Sequence, residues 1–222
     1  MPDTELAPAK PGIYSRGAET VDAILRAALT VLLDEGAEAF TIRRVAAACG
    51  LRVGNVSYHF PKKEMLIQVL LDEIMEKYHA KLEVNVRKPA LSDEERLKLV
   101  ILICLEDICG KRTTRLFTEL WALANHNDFI AERVEAFYAK VHDVIGEYVQ
   151  RINPALSKDE VHTLSLFISA SMEGTTPFLG YQKPWNAKMP AVIGISSDWF
   201  VTLVKSTKPG DIARMAQATG LE

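Results

Sequence analysis

The chain has 222 residues, 48% of them hydrophobic and 25% charged, and this globular balance excludes an intrinsically disordered or collagen-like protein. Its longest apolar run, residues 99–105, is far shorter than the roughly 20 residues of a membrane span, so no membrane partner is expected. The three cysteines show no CxxC spacing and the N-terminus lacks the pattern of a signal peptide, which together predict a cytoplasmic protein with reduced thiols.

The first part of the chain predicts a mobile tail, residues 1–15, followed by four helices. Apolar residues from Val21 onward recur at the i, i+3, i+4 and i+7 spacing of an amphipathic helix, which Gly36 ends in the left-handed cap position. Thr41 is a suitable N-cap for a helix over residues 42–49, and Gly50 permits a tight turn into a third helix over residues 53–59. Pro61 ends that helix, and a long helix is predicted over residues 62–86.

Two short helices separated by a turn around a glycine indicate a helix-turn-helix arrangement. The second of them, residues 53–59, is polar, and only Val56, supported by Val53 and Phe60, can anchor it. A helix this short and polar must be held by its neighbours. Its outward side chains are of the types that contact the edges of DNA bases, which makes it a candidate functional site.

Basic residues are concentrated around this motif, although the whole chain carries a net charge of −3. Residues 41–63 include five basic and no acidic side chains, so this segment carries +5 and the other residues together carry −8. A local basic patch is the electrostatic footprint of a nucleic-acid binder. Charge alone favours a solvated helix face over a DNA-binding patch. The order of the residues favours the DNA-binding patch.

The order of the residues resembles a known family. The run of residues 41–46, TIRRVA, and the run of residues 49–66, CGLRVGNVSYHFPKKEML, look like the DNA-binding headpiece of the TetR family of bacterial transcriptional regulators. The resemblance covers about residues 18–70 and implies an all-α fold. Residues 16–63 would form a three-helix helix-turn-helix headpiece, which a long helix joins to a larger helical ligand-binding and dimerisation domain, residues 64–222.

We expect the third helix to lie in the major groove of double-stranded DNA. Arg52 and Asn55 are the candidates for contacting bases, since arginine prefers guanine and asparagine prefers adenine. Val53 is placed to touch a thymine methyl group, and Gly54 lets the backbone approach the DNA closely. The side chains expected to contact phosphate are Thr41, Arg43, Arg44, Tyr58, His59, Lys62 and Lys63. For Tyr58 and His59, packing inside the headpiece is the alternative.

Two departures from the family pattern affect these assignments. Arg52 stands where the family usually has a small N-capping residue, and Ser57 stands where it often has a tyrosine. Tyr58 is expected to take over part of the phosphate contact of that tyrosine, and the role is not carried over to Ser57. Arg44 and Arg52 each lie near a helix N-terminus, where a cation is unfavourable, and phosphate or guanine would offset this cost.

The rest of the chain is predicted to be helical. A helix capped by Ser92 is apolar nearly all round over residues 97–108 and is expected to be central and buried. Further helices are expected over residues 111–125, 128–151, 157–178, 197–205 and 211–219, with a loop over residues 184–190.

The resemblance implies a homodimer, because in the TetR family the last two long helices form a four-helix interface with those of the partner. The matching segments are about residues 158–180 and 193–205. The small residues Ser165, Ser169, Ala170 and Gly174 would permit close packing, and Trp199 and Phe200 would supply buried area. Two headpieces on a dimer read half-sites about 34–36 Å apart, so the operator should be roughly palindromic.

The same core is expected to hold a small-molecule effector. Its candidate lining residues are Cys109, Phe117, Trp121, Phe137, Phe167, Met172 and Glu173. For each methionine or aromatic residue in this set, plain core packing is the alternative. Glu173 is the most informative member, because a carboxylate in an apolar stretch must reach solvent, pair with a cation or meet a ligand. This suggests an apolar effector with one polar or cationic group.

The sequence contains no nucleotide-binding, metalloprotease or serine-hydrolase motif, and its histidines and cysteines do not pair at metal-ligand spacing. We therefore predict no catalytic residue, no metal and no cofactor, and expect a DNA-binding regulator, a repressor released by its effector, rather than an enzyme. One alternative is a DNA-binding regulator with a solid core, controlled by a protein partner or by its abundance. A more remote one is an all-helical small-molecule carrier with a vestigial headpiece.

Overall fold

The computed structural model describes residues 12–86 and 90–220 of the chain. These residues form α-helices and one short 3-10 turn, with no strand among them, so the predicted all-α fold is confirmed. The helices are α1 (Gly12–Glu35), α2 (Ile42–Ala48), α3 (Val53–His59), α4 (Lys63–Val86), α5 (Asp93–Ile108), α6 (Lys111–Ala124), α7 (Asp128–Ile152), α8 (Lys158–Glu173), α9 (Thr176–Leu179), α10 (Met189–Ser206) and α11 (Asp211–Ala218).

The chain forms two compact units, and the boundary between them lies within α4, between Asp72 and Glu73. The division predicted from the sequence, between residues 63 and 64, falls at the first residue of the same helix. None of the described helices is long and apolar enough to cross a membrane.

In the first unit, α1 packs against α2 and α2 packs against α3, which is the predicted helix-turn-helix arrangement. Its core is built from fully buried aliphatic side chains, among them Ile24, Val31, Val45 and Val56. The turn between α2 and α3 contains Gly50 with a φ of 68°, a left-handed conformation that favours glycine. This turn therefore has the residue that its backbone requires.

Helix α1 is longer than predicted. It begins at Gly12, so residues 12–15 of the expected tail are helical, and residues 1–11 lie outside the described part of the chain. No proline stands between Gly12 and Glu35 to interrupt the helix. Once the packed part of a helix has formed, each added residue gains one hydrogen bond at little further cost, and the helix extends.

The second unit is organised around α5, which is buried on several sides as predicted. Leu97, Ile101 and Leu105 are fully buried, and the helix packs against α7 and α10. Ser92 caps α5 in a capping box with Glu95, and Ser157 caps α8 in the same way with Glu160. Both serines are the residues from which these helices were expected to begin.

Two predicted helix bounds were wrong in the last third of the chain. Helix α8 ends at Glu173 rather than near residue 178, because Gly174 caps it and a separate turn, α9, follows with Pro177 in its first turn. Helix α10 begins at Met189 rather than at residue 197, with Pro190 at its start. A proline is compatible with the first turn of a helix, where its missing N–H has no partner to lose.

The expected packing roles of two serines were also wrong. Ser165 and Ser169 are buried within the chain and do not lie on the exposed side of α8. A Cβ atom added at Gly146 of α7 would lie 3.2 Å from Ser165 Oγ, so small residues let α7 and α8 approach closely. Phe200 is likewise buried in the core of its own chain, whereas Ala170 and Gly174 are exposed.

Candidate DNA-binding surface and effector cavities

Helix α3 is anchored by Val56 and presents its N-terminal residues to solvent. Val56 is fully buried, whereas Arg52, Val53, Gly54 and Asn55 are all exposed. Arg52 is the N-cap of α3, but its side chain makes no hydrogen bond to the backbone N–H groups at the start of the helix. The two residues predicted to contact bases therefore lie together at the exposed N-terminal end of α3.

The other residues predicted to contact DNA lie at the start of α2, on α3 and at the start of α4, and most of them are exposed. Tyr58 is 82% exposed, so the alternative in which it packs inside the headpiece is wrong. Its ring contacts that of the partly buried His59 edge to face, with centroids 5.2 Å apart. Arg43, Lys62 and Lys63 are exposed as well.

Arg44 has a protein partner that the sequence pattern did not reveal. Its Nε donates to Glu35 Oε2 at 2.7 Å and its Nη2 donates to Glu35 Oε1 at 2.6 Å, a two-point ion pair between α2 and the end of α1. Thr41 caps α2 by accepting from the backbone N–H of Arg44 at 3.1 Å. Glu35 thus offsets the unfavourable position of Arg44 near the helix N-terminus. The offset was predicted to come from phosphate or guanine.

Gly54 is not required by the packing of α3. A Cβ atom added there meets no atom within 4 Å, and its backbone is not left-handed. Glycine in a helix is destabilising relative to alanine, so the fold alone gives no reason for this residue. An approach of the DNA backbone or bases to α3 would supply one.

In the second unit, three of the seven candidate effector residues form an aromatic cluster, which also contains Tyr138. The ring centroids of Phe117 and Phe137 are 5.1 Å apart, and those of Phe117 and Trp121 are 6.2 Å apart. Trp121 Nε1 donates to the Tyr138 hydroxyl at 3.0 Å. Phe137 also contacts Tyr78 of α4, with centroids 5.5 Å apart.

Glu173 is linked to this cluster by the interaction of its carboxylate with the Tyr138 hydroxyl. Burial raises the pKa of Glu173 to about 7, and the hydrogen bond from Tyr138 opposes this rise. Burial also raises the pKa of Tyr138, so its hydroxyl stays protonated and remains a donor at neutral pH. Trp121 therefore holds the Tyr138 hydroxyl by a hydrogen bond, and that hydroxyl in turn interacts with the Glu173 carboxylate.

The other three candidates lie elsewhere. Phe167 is half-exposed on α8 and contacts Phe200 edge to face, with centroids 6.3 Å apart. Met172 is buried in the main core. Cys109 ends α5, and its Sγ lies 3.9 Å from the Leu179 carbonyl oxygen. Phe167 therefore does not lie in the core, because position 167 is at the edge of the buried face of α8, beside Leu164, and half of its ring reaches solvent.

Two cavities flank the aromatic cluster. The first, the α4–α6 cavity, has a volume of about 310 Å³ and a floor that includes Phe117 and Phe137. Its rim carries charges of both signs, from Lys77, Lys81, Glu106, Asp107 and Arg112. Lys81 Nζ lies 2.5 Å from Asp107 Oδ1, so part of this rim is already neutralised by an ion pair.

The second, the α7–α8 cleft, has a volume of about 430 Å³. Tyr138, His142, His162 and Glu173 contribute its polar groups, together with Glu135 and Ser169, and aliphatic side chains form much of the rest. Of these polar residues, Glu173 was predicted from the sequence to line an effector site, whereas Tyr138, His142 and His162 were not. The spacing of Val134, Tyr138 and His142, four residues apart on α7, was the signal that would have placed them on one side of that helix.

No group of three or more histidine, cysteine or acidic side chains within residues 12–86 and 90–220 is arranged to hold a metal ion.

Large apolar side chains are exposed on α8 and α10. They are Leu166 and Phe167 on α8, and Ile195 and Trp199 on α10, and Phe178 and Trp185 in the segment between the two helices are also exposed. Several large exposed apolar side chains on two helices are typical of an interface rather than of a solvated face. We refer to the four residues on α8 and α10 as the apolar face.

Comparison with known proteins relates both units to bacterial regulators. The family model described as bacterial regulatory proteins, tetR family, matches residues 24–70, and the model described as BetI-type transcriptional repressor, C-terminal, matches residues 93–191. Together the two matches include most of the chain. The first lies over α2, α3 and parts of α1 and α4, and the second lies over α5 to α9 and the start of α10.

Two curated relatives are transcriptional regulators. The chain is 26% identical over 129 residues to an HTH-type transcriptional regulator encoded in the dhlA 5′ region of Xanthobacter autotrophicus, covering 56% of this chain and 62% of the relative. It is 30% identical over 66 residues to the HTH-type transcriptional repressor KstR2 of Mycolicibacterium smegmatis, covering 30% of this chain and 32% of the relative. The chain thus spans less than two thirds of either relative.

Solved structures share the fold at low sequence identity. A transcriptional regulator from Saccharomonospora viridis, in complex with choline, has a TM-score of 0.68 and 15% identity over 86% of this chain and 97% of its own. The fatty acid degradation regulator FadR from Bacillus halodurans has a TM-score of 0.63 and 18% identity over 87% of this chain and 97% of its own. At these identities the likeness concerns the fold.

Proposed function

Since this chain belongs to the TetR family of bacterial transcriptional regulators, we propose that it represses transcription by binding a palindromic operator as a homodimer, and that a small-molecule effector releases it. It is a helix-turn-helix transcriptional regulator and not an enzyme. The observation that carries the proposal is α3, a short helix anchored by Val56 with Arg52 and Asn55 exposed at its N-terminal end.

We infer that α3 enters the major groove and that Arg52 and Asn55 contact bases there. The exposed Val53 is suited to a thymine methyl group, and the open space around Gly54 is suited to a close approach of DNA. Contacts to phosphate are assigned to Thr41, Arg43, Tyr58, His59, Lys62 and Lys63. Arg44 keeps this role only in part, because its guanidinium is already bound to Glu35.

The homodimer is inferred from the apolar face. Trp199 is 56% exposed and Phe167 is 50% exposed, and burying such side chains against a second copy would stabilise a dimer by roughly 25 cal/mol for each Å² of apolar surface removed from water. A dimer also explains how a headpiece of this size binds tightly, since two copies contact two half-sites at once.

Effector control is inferred from the position of the aromatic cluster relative to α4. Phe137 contacts Tyr78, and Tyr78 lies on the same uninterrupted helix as Lys63 at the start of α4. An effector that moves the ring of Phe137 or Tyr138 would displace Tyr78 and with it α4. Coupling of this kind typically changes affinity by about 5- to 150-fold. The relative solved with choline supports a small-molecule ligand for this fold.

The decisive experiment is fluorescence anisotropy with DNA from upstream of the gene that encodes this protein, at physiological salt and with excess non-specific competitor. Binding that survives the competitor supports a sequence-specific regulator. Binding that the competitor removes would reduce the interaction to phosphate attraction. A folded dimer that binds no DNA would contradict the proposal and favour the small-molecule carrier.

A further inference from the structure

The α7–α8 cleft contains a carboxylate that DNA binding does not use. Glu173 lines the cleft near its Tyr138 wall and is largely shielded from solvent. Within the described part of the chain, no lysine or arginine lies at ion-pair distance from Glu173. The neutral hydroxyl of Tyr138 is the one side-chain group that favours its ionised form. An ionised carboxylate in such surroundings is costly unless a positive charge or further donors meet it.

The Tyr138 hydroxyl beside Glu173 is itself held by a hydrogen bond. Trp121 donates to Tyr138 at 3.0 Å, which leaves the hydroxyl proton of Tyr138 to point at the carboxylate. A carboxylate has about four lone-pair positions, and one donor occupies only one of them. The other positions are available to donors that enter the cleft.

The walls of the cleft restrict what can bring these donors. Val134, Ala139, Leu166 and Ala170 are apolar, and Tyr138 is the one phenyl-type ring in the lining. The positive charge of a quaternary ammonium is recognised by several aromatic faces, and it donates no hydrogen bond. This lining offers an aliphatic side, the imidazoles of His142 and His162, and a carboxylate that accepts hydrogen bonds.

We propose that the α7–α8 cleft binds an aliphatic amine in its protonated form, with the ammonium group donating to Glu173 and the hydrocarbon chain lying between α7 and α8. The proposal rests on the proposed function, because it names the chemical class of the effector. At pH 8 the carboxylate is mostly ionised, since the pKa of Glu173 is about 7, and an alkylamine remains mostly protonated.

The test is isothermal titration calorimetry of the full chain at pH 8 with n-octylamine, octyltrimethylammonium and 1-octanol, each below its micelle-forming concentration. We expect saturable binding of one octylamine per chain, and at least 10-fold weaker binding of the other two probes. Octylamine that does not bind would overturn the proposal. Octyltrimethylammonium or octanol binding as tightly as octylamine would also overturn it, because neither brings an ammonium N–H.

Two variants with the same change in net charge locate the site. Glu173→Gln should weaken octylamine binding at least 10-fold, because hydrogen bonds to a charged partner are among the strong ones. Glu132→Gln, at an exposed position of α7 that does not line the cleft, should change it less than 2-fold. An equal effect of both variants would reduce the interaction to general attraction and contradict the proposal.

Circular dichroism checks that Glu173→Gln folds, and if it does not, the three probes on the unaltered protein decide the question alone. The calorimetry contains no DNA, so its failure would leave operator binding intact. Conversely, a protein that binds octylamine but no DNA would contradict the proposed function and not this inference.

Discussion

The guanidinium of Arg44 and the carboxylate of Glu35 form a two-point ion pair that ties the start of α2 to the end of α1. Both side chains are partly exposed, so the pair adds little to stability. Its importance lies in the charge of the DNA-binding surface. Arg44 accounts for one of the five positive charges in residues 41–63, and Glu35 neutralises it from outside that segment.

Glu35→Gln should therefore strengthen DNA binding. The variant releases the charge of Arg44 for phosphate, and we expect the affinity for any sequence to rise about 2- to 10-fold at low salt. Anisotropy titrations on operator and unrelated duplexes at several salt concentrations measure this effect. The matched control is Glu38→Gln, which removes the same charge nearby and leaves the Arg44 pair intact. If both variants gain equally, net charge and not Arg44 is responsible.

Arg52→Ala should weaken operator binding by about 1–3 kcal/mol and leave binding to unrelated DNA nearly unchanged, because a base contact carries discrimination. Lys63→Ala should instead weaken binding to all sequences alike and reduce the salt dependence by about one charge. Competition anisotropy with both duplexes separates the two patterns. Equal losses on both duplexes for Arg52→Ala would make Arg52 a phosphate contact.

Gly54→Ala should have opposite effects on stability and on DNA binding. The added methyl group meets nothing in the protein, and alanine favours a helix, so the free energy of unfolding should rise by about 0.5 kcal/mol. The same methyl group would hold α3 away from the DNA, and operator affinity should fall at least 10-fold. Chemical denaturation and anisotropy measure the two quantities. Unchanged affinity would show that DNA does not approach Gly54.

Trp199→Glu should convert the dimer to monomers, because it places a charge in the apolar face. Sedimentation velocity at micromolar concentration measures the change. Met215→Glu on α11 is the matched control, since Met215 is equally exposed and apolar but lies outside that face. A dimer that survives Trp199→Glu would exclude the apolar face as the interface.

Glu173→Gln should stabilise the protein at alkaline pH. Folding raises the pKa of Glu173 from its ordinary value to about 7, so the folded state holds this proton more tightly than the unfolded chain. This contribution to stability is complete below about pH 4 and is lost as the pH rises through 7. At pH 8 the variant should gain up to about 3 kcal/mol over the unaltered protein, and at pH 4 little.

The groups around Glu173 do not reverse this sign. Burial raises the pKa values of Tyr78, Cys104 and Tyr138, which therefore stay neutral through pH 8. Burial lowers the pKa of His142, which limits its positive charge near neutrality. His162 and Glu135 face the same cleft at its exposed rim, where solvent screens them. Urea denaturation at pH 4, 6 and 8 makes the comparison, and parallel curves would contradict the prediction.

Local features of the sequence were sufficient to predict much of this protein. The caps at Thr41, Ser92 and Ser157 and the turn at Gly50 depend on neighbours in the chain, and the structure has all of them. The burial of α5 was predictable because that helix is apolar nearly all round. The run of residues 41–66 was likewise enough to identify the helix-turn-helix, because its spacing is local.

Only the tertiary structure decided which distant side chains meet. Periodicity places Arg44 on a helix but does not select Glu35 as its partner, and it groups Phe167 with the core although that ring lies outside. The same holds for Glu173: the sequence marked it as a carboxylate among apolar residues, whereas its link to Trp121 through Tyr138 joins three helices. Such contacts depend on how helices far apart in sequence pack, and local spacing carries no information about that packing.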